Sequence, residues 1–97
     1  MDNLAITNNE FLRQFEVKIN NCLARIEYAE QERKIFLTKL CIPEEINNKK
    51  FEEQFIRTVL ESISERNLRV VPTSPKIAGF VRRHKSYKAL LPVGIKL

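Results

Sequence analysis

Between residues 51 and 63 the apolar side chains Phe51, Phe55, Ile56, Val59, Leu60 and Ile63 recur every three or four positions. On an α-helix that spacing closes into a single stripe; on a strand it would scatter over both faces. Glu52, Glu53, Arg57, Glu61 and Glu65 occupy the remaining surface, so the helix offers one side to a core and one to water. Asn48 is placed to cap its start, and Asn67 can take the left-handed backbone that ends it. Apolar, β-branched runs lie on either side, "IFLTKLCI" closed by Pro43 and "LRVVP" before Thr73. A strand, a long helix and a strand form a unit whose two strands can lie parallel in one sheet, joined by a right-handed crossover.

The first forty residues read as strands as well. "FEVKIN" alternates, with Phe15, Val17 and Ile19 on one side against Glu16 and Lys18. Asn20-Asn21 suits a tight turn. "CLARIEYA" then alternates Cys22, Ala24, Ile26 and Tyr28 against Arg25 and Glu27, and "EQERK" marks another turn. "IFLTKLCI" is apolar at both parities, as expected of a central strand buried on two sides. That parity places Lys39 with Ile35, Leu37 and Cys41, where a desolvated lysine could act as a base unless it reaches water past the strand end. After "LRVVP", Ser74 and Pro75 signal a second helix carrying Ile77, Phe80, Val81 and His84. Its lone histidine falls on the apolar stripe, which suggests a core-edge role. The expected order is β-β-β-α-β-α, an α+β fold with a mixed sheet: an antiparallel meander followed by a parallel crossover.

A chain of 97 residues fits one domain, spanning 1–97. Hydrophobic residues at 43% and charged residues at 30% point to a globular protein rather than a disordered one. No apolar run suits a membrane span, and the N-terminus does not read as a signal peptide. Cys22 and Cys41 have neither close spacing nor histidine companions, so no metal site is expected and reduced thiols in the cytoplasm are the simplest account. The charge is unevenly distributed. Residues 1–68 carry 10 Lys/Arg and 12 Asp/Glu, whereas residues 69–97 carry 7 Lys/Arg and no acid. Such a segment attracts anions: a phosphorylated cofactor, an acidic surface, or nucleic acid. No exposed aromatic series for stacking bases is visible.

Ligands of open α/β sheets gather beyond the carboxyl ends of parallel strands. Here those ends are Cys41-Ile42-Pro43 and Val71-Pro72-Thr73-Ser74, and both lead into helix N-termini, which favour anions. "PEEINNKK" and "PTSPK" are therefore expected to form two lips of one site.

"IPEEI" before the long helix, "LRVVPTSPKIAGFVRRHKSY" after it, and "FEV" and "IEYA" upstream resemble the small, YjdJ-type branch of the GNAT acetyltransferase superfamily. The resemblance runs over roughly residues 6 to 88. It implies a GNAT-like fold and acetyl-CoA held between the two diverging parallel strands, with an amine as acceptor. Its pyrophosphate turn, Q/R-x-x-G-x-G/A, corresponds to Asn47-Asn48-Lys49-Lys50-Phe51-Glu52, so lysine and glutamate stand where small residues let phosphate approach the backbone. The family's strand histidine and its cysteine after "VVP" correspond to Lys39 and Ser74. By this resemblance Lys39 and Ser74 are the catalytic candidates. Leu40, Cys41 and Ile42 would meet the pantetheine arm, and Asn47, Asn48, Lys49, Lys50 and Phe51 the pyrophosphate. Three functions remain open: an acetyl-CoA-dependent N-acetyltransferase, a GNAT-like binding or regulatory module that has lost the chemistry, and nucleic-acid binding through 69–97.

Overall fold

The computed structural model describes residues 4–95. The strands are β1 (Thr7–Asn9), β2 (Gln14–Ile19), β3 (Cys22–Gln31), β4 (Lys34–Cys41) and β5 (Arg69–Pro72). The helices are α1 (Lys49–Glu65) and α2 (Pro75–Arg83), with short 3-10 turns at Glu44–Ile46 and Lys85–Leu90. The five strands form one sheet in sequence order. The first three junctions are antiparallel and β4–β5 is parallel, the arrangement of a GNAT-like fold.

Local chemistry accounts for the connections. Asn20 and Asn21 both have positive φ, 52° and 64°, which gives the primed turn that a right-twisted hairpin favours. Glu32 and Arg33 adopt the same conformation (53° and 64°) in the β3–β4 turn, although neither residue type favours it. Asn48 caps α1 through Oδ1, which accepts the Phe51 amide hydrogen at 2.8 Å. Asn67, at φ 58°, ends the helix as expected.

β1 is additional to the three-strand meander expected from sequence. "TNN" has no apolar alternation to announce it. It pairs with β2, and the Tyr28 hydroxyl donates to Asn8 Oδ1 at 2.7 Å.

The core lies on one face of the sheet. Phe15, Val17, Ala24, Ile26, Tyr28, Ile35, Leu37 and Val70 meet the α1 stripe together with Ile77, Phe80 and Val81 of α2. The opposite face carries no buried apolar side chain among the described residues; Phe36 and Val71, paired across β4 and β5, are only half-buried there. The expectation that β4 is buried on two sides is thus corrected, since both helices contribute to a single core layer.

A second correction concerns β4. Glu27 faces Lys39 and Tyr28 faces Leu37, so Thr38 is an extra residue, a β-bulge. The Thr38 hydroxyl secures it by donating to the Glu27 carbonyl at 3.1 Å. Beyond the bulge, Leu40 shares the core side with Ile26, while Lys39 and Cys41 lie opposite, beside Glu27 and Arg25. Lys39 therefore does not share a face with Ile35 and Leu37. It is exposed, without the desolvation that base chemistry at this position would require.

Candidate functional site

The parallel ladder ends abruptly. β4 and β5 stay in register from Lys34/Arg69 to Leu37/Pro72 and then diverge. Pro72 has no amide hydrogen to extend the ladder, and Pro75 starts α2 three residues later. The divergence is anchored on one carbonyl: Leu37 O accepts the Thr73 amide at 3.1 Å, the Ser74 amide at 3.0 Å and the Thr73 hydroxyl at 3.0 Å. β4 continues through Thr38–Cys41, paired with β3 on one side and with no strand on the other among the described residues. A wedge with an unpaired backbone edge results.

The first lip of the wedge runs from Pro43 through the Glu44–Ile46 turn to α1. The turn closes through Ile46 N to Pro43 O (3.1 Å) and Asn47 N to Glu44 O (3.2 Å). Asn47, Asn48, Lys49 and Lys50 are exposed. The amides of Lys49 and Lys50 have no acceptor among the described residues, as the first turn of a helix dictates. Phe51 differs: its ring is buried, stacked on Phe55 with centroids 5.9 Å apart, and its amide is committed to Asn48. Asn48 therefore fills its expected position as a cap and takes up one of the donors an anion would otherwise meet.

Ser74 stands on the second lip. It occupies the N-cap position of α2 and is buried, but its side chain makes no capping bond; its carbonyl receives the Ala78 amide at 2.9 Å. The residue before a proline is held extended, and Ser74 at ψ 129° conforms. Lys39 stands two residues past Leu37, on the open sheet face. Both catalytic candidates thus flank the divergence, Lys39 on β4 and Ser74 two residues past the end of β5. The structure adds Arg25 and Glu27 beside Lys39 and Cys41, joined by a 2.9 Å ion pair that holds the Arg25 guanidinium more firmly protonated. Only the cross-strand register reveals these neighbours.

The two lips meet around a cavity of about 110 Å³ lined by Leu40, Ile42, Asn47, Glu52 and Lys76. Glu52 and Lys76 form an ion pair across it at 3.7 Å. Larger, more open hollows of about 430 and 360 Å³ lie at the β1–β2 turn and beside Leu90, and contain none of the residues of either lip. Among the described residues, no cluster of His, Cys, Asp or Glu is placed to hold a metal ion.

Part of the basic last third is engaged internally. Lys76 pairs with Glu52, Arg83 with Glu53 at 3.5 Å, and Arg69 donates to the Ala89 carbonyl at 2.7 Å. The ring of His84 packs 4.1 Å from that of Phe80, and its buried Nδ1 has no partner among the described residues, in keeping with a core-edge position.

The family model described as GCN5-related N-acetyl-transferase matches residues 14–90, most of the chain. The chain belongs to that GNAT family. The matched GNAT segment runs from the start of β2 to the end of the second 3-10 turn and so includes the wedge and both lips. A solved structure agrees on the fold: the NMR solution structure of a GCN5-like protein from Staphylococcus aureus superposes with a TM-score of 0.70 at 22% identity, covering 99% of this chain and 94% of that one. Identity at that level speaks for the GNAT fold alone. No curated protein matches the chain. No helix among the described residues is long and apolar enough to cross a membrane.

Proposed function

We propose that this GNAT domain is an acyl-CoA-dependent N-acyltransferase with acetyl-CoA as donor and an amine as acceptor. The observation that carries the reading is the early end of the β4–β5 ladder, which leaves the Thr38–Cys41 edge unpaired beside the N-terminus of α1. An unpaired strand edge suits an amide-bearing pantetheine arm, which can bond to it as a further strand would. Leu40, Cys41 and Ile42 supply that edge. The free amides of Lys49 and Lys50, the helix dipole and the two ammonium groups suit the diphosphate, with Asn47 and Asn48 beside it. Phe51 would contribute only by exchanging its capping bond. The chain thus fits the group through side-chain charge where the family uses glycine.

Acetyl-CoA supplies an activated acyl thioester. Lys39, exposed on the open face, would serve as a proton donor to the leaving thiolate rather than as a base, and Ser74, at the start of α2, is the other candidate for proton transfer at the divergence. The acceptor amine approaches over the open face, where the bulge has placed Lys39, Glu27 and Arg25.

The test is calorimetric titration with acetyl-CoA and CoA at low salt, together with thermal melts. A ligand at a hundred times its Kd stabilises by about 2.7 kcal/mol, which is on the order of 10 °C or more in Tm for a domain this small. No shift at millimolar acetyl-CoA overturns the proposal. If transfer occurs, Lys39→Ala is expected to slow it by about a hundredfold or more while CoA binding persists.

One observation favours a second reading, a module that binds without transfer: side chains at Lys50 and Glu52 occupy the places of the turn's small residues. Acyl transfer that Lys39→Ala abolishes would exclude it.

A further inference from the structure

Lys76 belongs to neither the strand edge nor the α1 turn, yet it lines the cavity between the lips and pairs with Glu52. The two partners are unequally exposed: the Glu52 side chain is 19% accessible and that of Lys76 63%. The carboxylate is therefore set into the cavity wall, while the ammonium stands at the mouth and is free to swing on its flexible stem. We propose that Lys76 is the principal diphosphate-binding cation of this chain and that Glu52 is an internal competitor, exchanged for the diphosphate when the ligand enters. The inference rests on the acyl-CoA reading given above and deepens it.

Three observations converge on it. First, by the family resemblance, Lys50 and Glu52 stand where the pyrophosphate turn has small residues that let phosphate approach the backbone. The anion must then sit farther out, where side-chain donors reach it rather than amides. Second, the amide set at α1 is incomplete, because Asn48 takes the Phe51 N–H and leaves those of Lys49 and Lys50. Third, Lys76 lies in the first turn of α2, which contains no acid. A cation there opposes the helix dipole and needs a negative partner. Glu52 supplies one now, and a phosphate oxygen can do so equally. The cavity is thus lined by one cation, Lys76, and one carboxylate, Glu52, with Asn47 of the first lip beside them.

On this account Glu52 neutralises Lys76 while the ligand is absent and weakens binding when it is present. Removing each partner should therefore have opposite effects, and only for ligands that carry the diphosphate.

The experiment is calorimetry at low salt on the full chain with two probes: CoA, and S-acetylpantetheine, which has the same thioester arm and no diphosphate. Lys76→Ala is expected to weaken CoA about tenfold or more, the loss of a charge-assisted contact. Glu52→Gln, nearly isosteric, is expected to tighten CoA about fivefold, the worth of a partly exposed ion pair. Lys76→Arg should retain most of the affinity. S-acetylpantetheine should bind all four proteins alike, and far-UV circular dichroism confirms that each is folded. If wild type binds CoA but neither Lys76→Ala nor Glu52→Gln shifts the affinity, or Glu52→Gln weakens it, the exchange is refuted and the acyl-CoA reading stands. If neither wild type nor Glu52→Gln binds CoA, both fall together.

Discussion

The cap on α1 offers the cleanest test of how this site is built. Asn48 Oδ1 receives one bond, from the Phe51 amide at 2.8 Å, and Asn48 itself is exposed. Asn48→Ala removes that bond and leaves the surrounding apolar packing intact. The Phe51 ring is buried, but water can reach the released amide where the asparagine stood. The cost should therefore match an ordinary N-cap loss, about 1 kcal/mol, rather than that of a sealed, unpaired donor. For a chain near 100 residues this corresponds to about 4–8 °C in Tm, with the lower end expected here. Thermal melts followed by far-UV circular dichroism would compare wild type with Asn48→Ala, Asn48→Asp and Asn48→Gly. Aspartate retains an acceptor and suits the helix dipole, so it should melt within about 1 °C of wild type. Glycine should lose only a few tenths of a kcal/mol. If alanine melts with wild type, or aspartate falls as far as alanine, Asn48 is not the cap and the count of free amides at the first lip is wrong.

Ile63 is fully buried between α1 and the sheet, so Ile63→Ala should cost about 2–5 kcal/mol in urea unfolding, against less than about 0.5 kcal/mol for fully exposed Val93→Ala. Burial raises the pKa values of Tyr28 and Tyr87 above their ordinary 10.0, reinforced at Tyr87 by its bond to Glu61. Both rings are neutral in the folded and unfolded chains below about pH 10, so their stability contribution is fully present there. Above it the unfolded chain ionises first and stability falls as pH rises through the folded values; Tyr28→Phe with Tyr87→Phe should flatten that decline in urea midpoints from about pH 9 to about pH 11. His84→Phe removes a buried nitrogen that has no partner among the described residues and keeps the ring against Phe80, so its melt at neutral pH should not fall below that of wild type.

What could be read in advance was whatever depends on near neighbours along the chain. The α1 stripe, the Asn48 cap, the Asn20-Asn21 turn, Asn67 and the Pro75 start all follow from a few adjacent residues and their backbone preferences. The two lips were legible for the same reason, since strand ends leading into helix starts can be counted off. β1 was not, because Thr7–Asn9 becomes a strand only through its pairing with β2 and the Tyr28 bond to Asn8. The face occupied by Lys39 was also misjudged, because strict alternation cannot register a residue that slips between two ladder pairs. Nor does local pattern connect Glu52 with Lys76: one lies on the water side of its own helix, the other at the opening turn of another, and only the fold sets them 3.7 Å apart.

Thr38 has a consequence that reaches beyond its own position. It changes the parity of the strand, so every later side chain is addressed by its distance from Thr38 rather than from Lys34. Drawing Thr38 into the ladder, with no letter altered, would turn the Lys39 ammonium toward the interior and put Leu40 in water, whereas deleting Thr38 would leave both on their present faces. The tip of β4 is thus governed by a frame, as a coding sequence is. A one-residue slip of pairing there would rewrite the chemistry offered to a ligand more completely than any substitution at Lys39, Leu40 or Cys41.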